Sequence, residues 1–349
     1  MSIVVNRNAT PTNFGFQYQI NVAIYFLFHY LKDIKNIRVE GEKQDVEILM
    51  NNNKKYMIQA KSKVNDIYDG RDNPKKLRES LTSLSSADSN EVEKLIYASN
   101  MFNPLNTSTN EFFDYDITTW KYCELTDESK MKINHQIEEL QKKQAGFSID
   151  KNKLTIIKIP FYGDEDSEKY KYIYREVGDM LSNISDNLYS KRREIVSYYE
   201  SKFLNNSASN PKIKITKKEI CNLLILKEID SMDLSRDSEY IGIDDIEYYD
   251  AYNKYKEHID KKINNYECIS KVYAIYIRAR KKKSIRLSDF VQENNVKLYN
   301  YFFNKNYRVI DEIPQENRID LSVSQILGYA ILMKKNIIDK IMEVSGDEN

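Results

Sequence analysis

The segment from Gln19 to Lys61 constrains the fold most, because helical periodicity gives way there to two runs of strand periodicity. Residues 45–50 and 56–61 alternate apolar with polar side chains, which is typical of strands with one buried face. The intervening Asn51–Asn53 tolerates left-handed backbone and predicts a hairpin turn. A wide apolar stripe at three- and four-residue steps predicts the preceding helix; it consists of Phe16, Ile20, Ala23, Ile24, Leu27, Phe28 and Leu31.

The length of the predicted turn sets the pairing of the two strands. With Met50 opposite Lys54, counting back places Asp45 opposite Gln59, and Lys61 follows one step along the same face. Directly opposed side chains of an antiparallel pair lie roughly 5 Å apart at Cβ. A bulge would shift this register by one residue. The spacing therefore predicts that Asp45, Gln59 and Lys61 share one face of a sheet.

These residue types suit hydrolysis of a phosphodiester beside a divalent cation. Mg²⁺ prefers oxygen ligands and typically takes one or two carboxylates plus substrate phosphate. Asp45 would supply the charged ligand, and the Gln59 carbonyl a neutral one. Lys61 would orient or help deprotonate the attacking water and offset charge on phosphorus. We therefore expect Mg²⁺, or Mn²⁺, as the cofactor.

Further polar residues are auxiliary candidates. Glu47 shares a face with Asp45, and Glu40 and Glu42 lie on or just after the preceding strand. Gln19 lies at the edge of the helical stripe, from which it would reach the site as a phosphate contact or a support. Two structural alternatives remain open. Asp, Glu, Gln and Lys on one hairpin face also describe a solvated sheet edge, and Gln19 also suits a plain core helix.

The order and spacing of these motifs resemble the double-stranded-DNA nuclease domain of bacterial anti-phage effectors, within the PD-(D/E)xK superfamily. The resemblance rests on Phe14–Gln19, on Asp45-Val46 and on Gln59-Ala60-Lys61, with support from the Leu154–Phe161 segment, and it covers roughly residues 10 to 185. Gln59 stands where the wider superfamily has an acid, so we expect weak metal affinity in the absence of DNA.

The resemblance implies a fold, a substrate and partners. The fold is α/β (α+β): a restriction-endonuclease-like mixed sheet flanked by helices, followed by a mainly helical C-terminal domain. The substrate is double-stranded DNA. Such domains occur in CBASS effectors and in the nuclease subunit of Lamassu-type systems, where an SMC-like ATPase and an accessory subunit are partners. We expect the nuclease to be inactive in that complex and active on release as a homo-oligomer.

Charge composition excludes DNA binding through bulk charge. The chain has 53 Lys and Arg against 53 Asp and Glu among 349 residues, so its net charge is zero. DNA contact then requires local patches. One candidate patch opens a helix after a turn, and the other is a dense basic cluster within residues 278–286; their DNA-backbone candidates are Lys75, Lys76, Arg78, Arg280, Lys281, Lys282 and Lys283. Solvated helix faces are the alternative for both patches.

Cysteines and hydropathy indicate the compartment. Three scattered cysteines without a C-x-x-C motif argue against disulfides and zinc and for a reducing environment. The first residues lack the pattern of a secretory signal. The longest apolar run, Val22–Phe28, is far shorter than the ~20 residues that cross a bilayer. We therefore expect a cytoplasmic protein without membrane contact. The isolated histidines His29, His135 and His258 suit packing or solvation better than ligation.

Near residue 185 the mixed strand and helix patterns give way to long helical patterns. This change predicts a nuclease domain over 1–185 and a helical docking or oligomerisation domain over 186–349. Thr216 and Glu219 form a capping box that predicts a helix from residue 217. Helices are also predicted over 184–203 and 324–341. Two other functions remain open. One is a catalytically inactive DNA-binding or scaffolding subunit, and the other is an effector whose C-terminal half senses a nucleotide.

Overall fold

A computed structural model describes residues 10–41, 43–64, 67–108, 116–209, 214–230, 232, 238–262, 267–303 and 313–346. The strands are β1 (Ile34–Val39), β2 (Val46–Met50), β3 (Lys55–Lys61), β4 (Val92–Ser99), β5 (Thr118–Lys121), β6 (Leu154–Lys158) and β7 (Ile215–Thr216). The helices are α1 (Thr10–His29), α2 (Asn73–Ala87), α3 (Asp127–Lys143), α4 (Asp166–Lys169), α5 (Lys171–Ser182), α6 (Asp186–Ser190), α7 (Arg192–Ser209), α8 (Lys217–Ile229), α9 (Asp245–Lys262), α10 (Glu267–Lys282), α11 (Leu287–Glu293), α12 (Asn295–Phe303), α13 (Arg318–Met333) and α14 (Lys335–Ser345).

The chain divides into two compact units. The first comprises Met1–Asn183 and Tyr189–Thr216, and the second comprises Ile184–Leu188 and Lys217–Asn349. All the strands above belong to the first unit, which we call the sheet unit, and the second, the helical unit, contains α8 to α14. The functional division at residue 185 stays a prediction.

A mixed sheet organises the sheet unit, with strand order β5-β6-β4-β3-β2-β1-β7 among the described residues. β3, β4 and β6 run parallel, and the remaining neighbours pair antiparallel. Helices flank this sheet and a helical region follows it. The predicted α/β class, a mixed sheet flanked by helices and followed by a helical region, is therefore confirmed.

β3 lies in the middle of the sheet, between β2 and β4. α2 and α3 cover one face, where Met57 joins a core cluster with Leu77, Leu95 and Ile133. α1 packs on the other face. All five residues from Tyr56 to Ala60 are therefore buried. The alternative of a solvated sheet edge is wrong for β3, because helices cover both of its faces.

Several predicted element boundaries differ from the observed ones. α8 begins at Lys217 as the capping box predicts, but the helix predicted over 184–203 is divided into α6 and α7. The helix predicted over 324–341 is divided at Lys334, whose ammonium binds the buried Glu228 carboxylate at 2.8 Å. Apolar periodicity continues across both breaks, so the sequence pattern did not reveal them. No helix among the described residues combines the length and apolar composition that crossing a bilayer requires.

Candidate active site

The β2–β3 hairpin has the register that the sequence predicts. Val46 pairs with Ile58 and Leu49 with Lys55, which places Asp45 across from Gln59. The Met50 N–H donates to the Lys54 carbonyl at 2.9 Å and closes the turn. Asp45 itself lies one residue before β2 rather than within it.

The Asp45 carboxylate completes the end of the β2–β3 ladder. Its Oδ2 accepts a hydrogen bond from the Ala60 backbone N–H at 2.9 Å. In the amide orientation that satisfies both groups, Gln59 Nε2 donates to the same oxygen at 3.2 Å and Gln59 Oε1 accepts from the Asp45 N–H at 3.3 Å. The amide therefore holds Asp45 in place, an arrangement that strand periodicity did not reveal.

The second carboxylate oxygen faces fewer constraints. Among the described residues, none donates a hydrogen bond to Asp45 Oδ1. Burial raises the pKa of Asp45, and the Ala60 N–H and the Lys61 charge only partly oppose that rise, while Glu40 adds to it. The fold thus disfavours the charged form of Asp45 in the absence of a cation.

Two lysines lie near the carboxyl end of β3. Lys61 shares a face with Gln59 two residues earlier, and its charge lowers the pKa of Asp45. Lys76 of α2 donates from Nζ to the Ser62 carbonyl at 2.8 Å. Burial lowers the pKa of Lys76, and the Lys61 charge lowers it further. Lys76 therefore belongs to the surroundings of Lys61 rather than to a separate surface.

The auxiliary acids differ in their environment. Glu47 accepts from Arg38 Nε at 2.9 Å and from the Lys43 N–H at 3.0 Å, so an ion pair occupies its carboxylate. Glu40 is exposed, and its backbone N–H donates to the Asp45 carbonyl at 2.8 Å. Glu42 lies outside the described residues. Glu40 is thus the nearer candidate for supporting a cation at Asp45.

Gln19 has an unsatisfied side-chain oxygen. Its Oε1 is buried and has no hydrogen-bond partner among the described residues. Gly15 lies one turn earlier on the same face of α1 and close to Ser62. A Cβ added to Gly15 would lie 3.9 Å from Ser62 Oγ. Because residues four apart share a helix face, Gln19 lies on the side of α1 that meets the end of β3.

The basic residues predicted to contact DNA are not equivalent. Lys75 is exposed, whereas Arg78 Nε donates to Gln136 Oε1 at 2.9 Å and connects α2 to α3. In the helical unit, Arg280, Lys281 and Lys282 are exposed, and Lys283 forms an ion pair with Glu293 at 2.8 Å.

A groove of about 270 Å³ lies on the face of the sheet that carries Asp45 and Gln59, and Glu47 and Met57 are among its lining residues. Its charged lining consists of Arg38, Lys43, Glu47, Lys55, Glu91 and Lys214. Glu47 pairs with Arg38, and Glu91 pairs with Lys55 at 2.5 Å. Four cations against two acids leave this groove positive, which suits a phosphate backbone.

The residues present fit a single cation held by one carboxylate. Within the described part of the chain, no three His, Cys, Asp or Glu side chains come together as a metal cluster. Asp45 Oδ1 nevertheless accepts no hydrogen bond from the described residues, and the pKa of the Asp45 carboxyl is raised in a way that a bound cation would reverse. Mg²⁺ typically takes few protein ligands and retains several waters.

Gln59→Glu tests this fit. Gln59 is only 4 % exposed, so the new carboxylate would be buried beside Asp45. Like charges in one site repel, so we expect a Tm several degrees below that of Gln59→Met at about pH 8, and an equal Tm near pH 5. Mn²⁺ should raise the Tm of Gln59→Glu more than that of the wild-type chain. Equal Mn²⁺ shifts in both chains would contradict a cation site at Asp45.

No protein-family model matches the chain, and no curated protein matches it in sequence. Among solved structures, the chain is similar to a Moraxella osloensis receptor, Cap4, that contains a SAVED/CARF domain. The two are 16 % identical with a TM-score of 0.35, and the match covers 61 % of this chain and 47 % of the receptor. The chain thus spans about half of that receptor.

Proposed function

We propose that this chain is a divalent-metal-dependent endonuclease that hydrolyses phosphodiester bonds of double-stranded DNA. The observation that carries the proposal is the arrangement at the end of β3. Asp45 lies opposite Gln59, one of its carboxylate oxygens accepts no hydrogen bond from the described residues, and the Lys61 charge acts on that carboxylate.

Each residue has a role in this proposal. Asp45 Oδ1 would hold Mg²⁺ or Mn²⁺, which supplies Lewis acidity and an activated water when bound. Gln59 and the Ala60 N–H fix the carboxylate in position. Lys61 orients the water and stabilises negative charge developing on the phosphoryl oxygens. Lys76 adds positive potential beside Lys61, and the groove cations position the DNA backbone.

The biological setting rests on the motif resemblance alone. We propose that the chain is an anti-phage effector that an SMC-like ATPase and an accessory subunit hold inactive, and that release and self-association activate it. A net charge of zero suits a nuclease that does not bind DNA through bulk charge. Light scattering combined with a cleavage assay tests self-association. A monomer that cuts plasmid at the full rate would contradict it.

Lys61→Met is the direct test of the enzymatic proposal. The purified chain should nick and linearise supercoiled plasmid with Mg²⁺ or Mn²⁺. Removing the ammonium removes charge stabilisation in the transition state, so the variant should cut at least about 10²-fold more slowly. Lys35→Met, at an exposed position of β1, is the matched control and should retain the full rate. A wild-type chain that binds duplex DNA but cuts it with neither metal would support the non-catalytic DNA-binding subunit instead.

A further inference from the structure

A second pocket, of about 150 Å³, opens on the other face of the sheet. It lies between the carboxyl end of α1 and strands β4, β5 and β6. We call it the aromatic pocket; its principal lining residues are Tyr25, Phe26, His29, Tyr30, Lys94 and Thr119.

The aromatic pocket is separate from the candidate active site. Ile96 and Ile157, each 1 % exposed, form part of its lining. Their neighbours Leu95 and Ile156 point to the opposite face, into the cluster under α2 and α3. Because successive strand residues face opposite sides, the sheet itself lies between this pocket and Gln59.

Stacked rings form the α1 side of the pocket. Tyr25 and His29 stack with centroids 5.0 Å apart and an interplanar angle of 19°. Phe26 and Tyr30 stack at 5.8 Å and 3°. Burial lowers the pKa of His29, so its ring is neutral at pH 7 and offers one donor and one acceptor. Such walls suit a flat aromatic guest with polar edges.

Two lysines, Lys94 and Lys121, also line the pocket. Lys94 Nζ donates to the Tyr30 hydroxyl at 3.1 Å and lies 4.6 Å from the Tyr56 ring centroid. Within the described part of the chain, no carboxylate lies at ion-pair distance from Lys94. Lys121 is exposed in the lining, and its Nζ lies 3.5 Å from a Glu124 carboxylate oxygen. An anionic group attached to the flat guest would therefore meet Lys94 and Lys121.

We propose that the aromatic pocket binds a mononucleotide, with its base against the α1 rings and its phosphate at Lys94 and Lys121. A volume of about 150 Å³ is small beside the pockets of ~300 Å³ and more that hold drug-sized ligands. It admits one ring system and leaves the phosphate at the mouth. This proposal does not depend on the nuclease proposal, because the two sites lie on opposite faces of the sheet.

Binding is measured by calorimetry and by thermal unfolding followed through Trp120, the single tryptophan, which lies in β5. AMP or UMP at about 1 mM should raise the Tm by about 2 °C or more. Adenosine should bind about tenfold more weakly than AMP, and inorganic phosphate should not shift the Tm. Lys94→Met should weaken AMP binding at least about tenfold, which corresponds to ~1.4 kcal/mol.

Three further variants make the test decisive. Thr119→Trp places a large ring at an exposed position in the lining, so it should abolish AMP binding. This variant tests the pocket independently of Lys94→Met, including the case in which Lys94→Met does not fold. Lys55→Met, in the groove on the opposite face, should bind AMP like the wild type. Asp45→Asn should also retain binding. No shift with AMP and UMP, or unchanged binding by a folded Thr119→Trp chain, would overturn the proposal.

Discussion

Replacing Asp45 with asparagine is expected to abolish metal-dependent DNA cleavage and, at the same time, to raise the thermal stability of the sheet unit. The two effects have one cause, because the proposed chemistry needs the charged carboxylate that the fold disfavours. Asparagine keeps an oxygen that can accept from the Ala60 N–H, where Asp45 Oδ2 now accepts at 2.9 Å. It removes the charge that a cation would require.

The pH dependence of this stability gain follows from the raised pKa of Asp45. A carboxyl whose pKa is higher in the folded than in the unfolded chain stabilises the fold while it is protonated. That contribution is lost as the pH rises through the folded-state pKa. Asp45→Asn should therefore match the wild type below about pH 4 and exceed it by a few degrees in Tm near neutral pH.

Thermal unfolding followed through Trp120 fluorescence measures this effect, since β5 belongs to the sheet unit. Glu47→Gln is the matched control, because it neutralises a carboxylate but should change the Tm in the opposite direction. It neutralises a carboxylate on the same face whose Arg38 partner lies at 2.9 Å, so it should lower the Tm. An Asp45→Asn chain that cuts plasmid at the wild-type rate, or that melts below the wild type at neutral pH, would contradict the assignment.

Lys334→Met is expected to destabilise the helical unit by about 3–5 kcal/mol, because it leaves a buried carboxylate without its cation. Glu228 is only 1 % exposed, and Lys334 Nζ lies 2.8 Å from its Oε1. Ser185 and Asn187 donate to Oε2 at 2.8 and 2.9 Å but bring no compensating charge. The buried anion then loses the positive charge that offsets much of its desolvation cost.

Chemical denaturation followed by far-UV circular dichroism reports this change, since the helical unit contributes α8 to α14. Lys335→Met, at the next residue, removes an exposed partner of Asp339 and should cost no more than about 0.5 kcal/mol. Adding Glu228→Gln to Lys334→Met should recover part of the loss. Equal costs for the two lysine variants would show that the Glu228 pair is not a stabilising contact.

Acid should weaken the helical unit through the same carboxylate. Burial acts to raise the pKa of Glu228, but the hydrogen bonds from Lys334, Asn187 and Ser185 outweigh it, so the pKa is lowered. A lowered carboxyl pKa stabilises the fold above the unfolded-state pKa, and the contribution is lost as the pH falls through the folded-state value. The wild-type chain should lose this stabilisation below about pH 4.5.

The hairpin is the part of the site that the sequence predicted best. Three asparagines fix the length of the turn, and the alternating pattern then leaves one register that opposes Asp45 and Gln59. The burial of Gln59 was not predicted, because it depends on α2, which begins twelve residues after β3 ends. The position of Lys76 beside Lys61 was missed for the same reason, since a helix start rich in lysine looks solvated in isolation.

Side-chain pairing across distant segments was also hidden from the sequence. Arg38 and Glu47 meet because β1 and β2 are antiparallel, and the pair changes a candidate metal ligand into an ion-pair partner. Lys334, at the break between α13 and α14, binds Glu228, more than one hundred residues earlier in the chain. β5 and β7 are short strands at the sheet margins, with weak periodicity of their own.

Asp45 Oδ2 accepts a hydrogen bond from the Ala60 N–H, and Oδ1 accepts none from the described residues, so a cation bound at Oδ1 would be reported by this one backbone amide. A cation drawing electron density from that carboxylate would weaken its hold on the Ala60 N–H. Hydrogen–deuterium exchange at this single amide should therefore quicken as Mn²⁺ is added. Occupancy could then be followed in the resting protein, with no nucleic acid present and no bond broken.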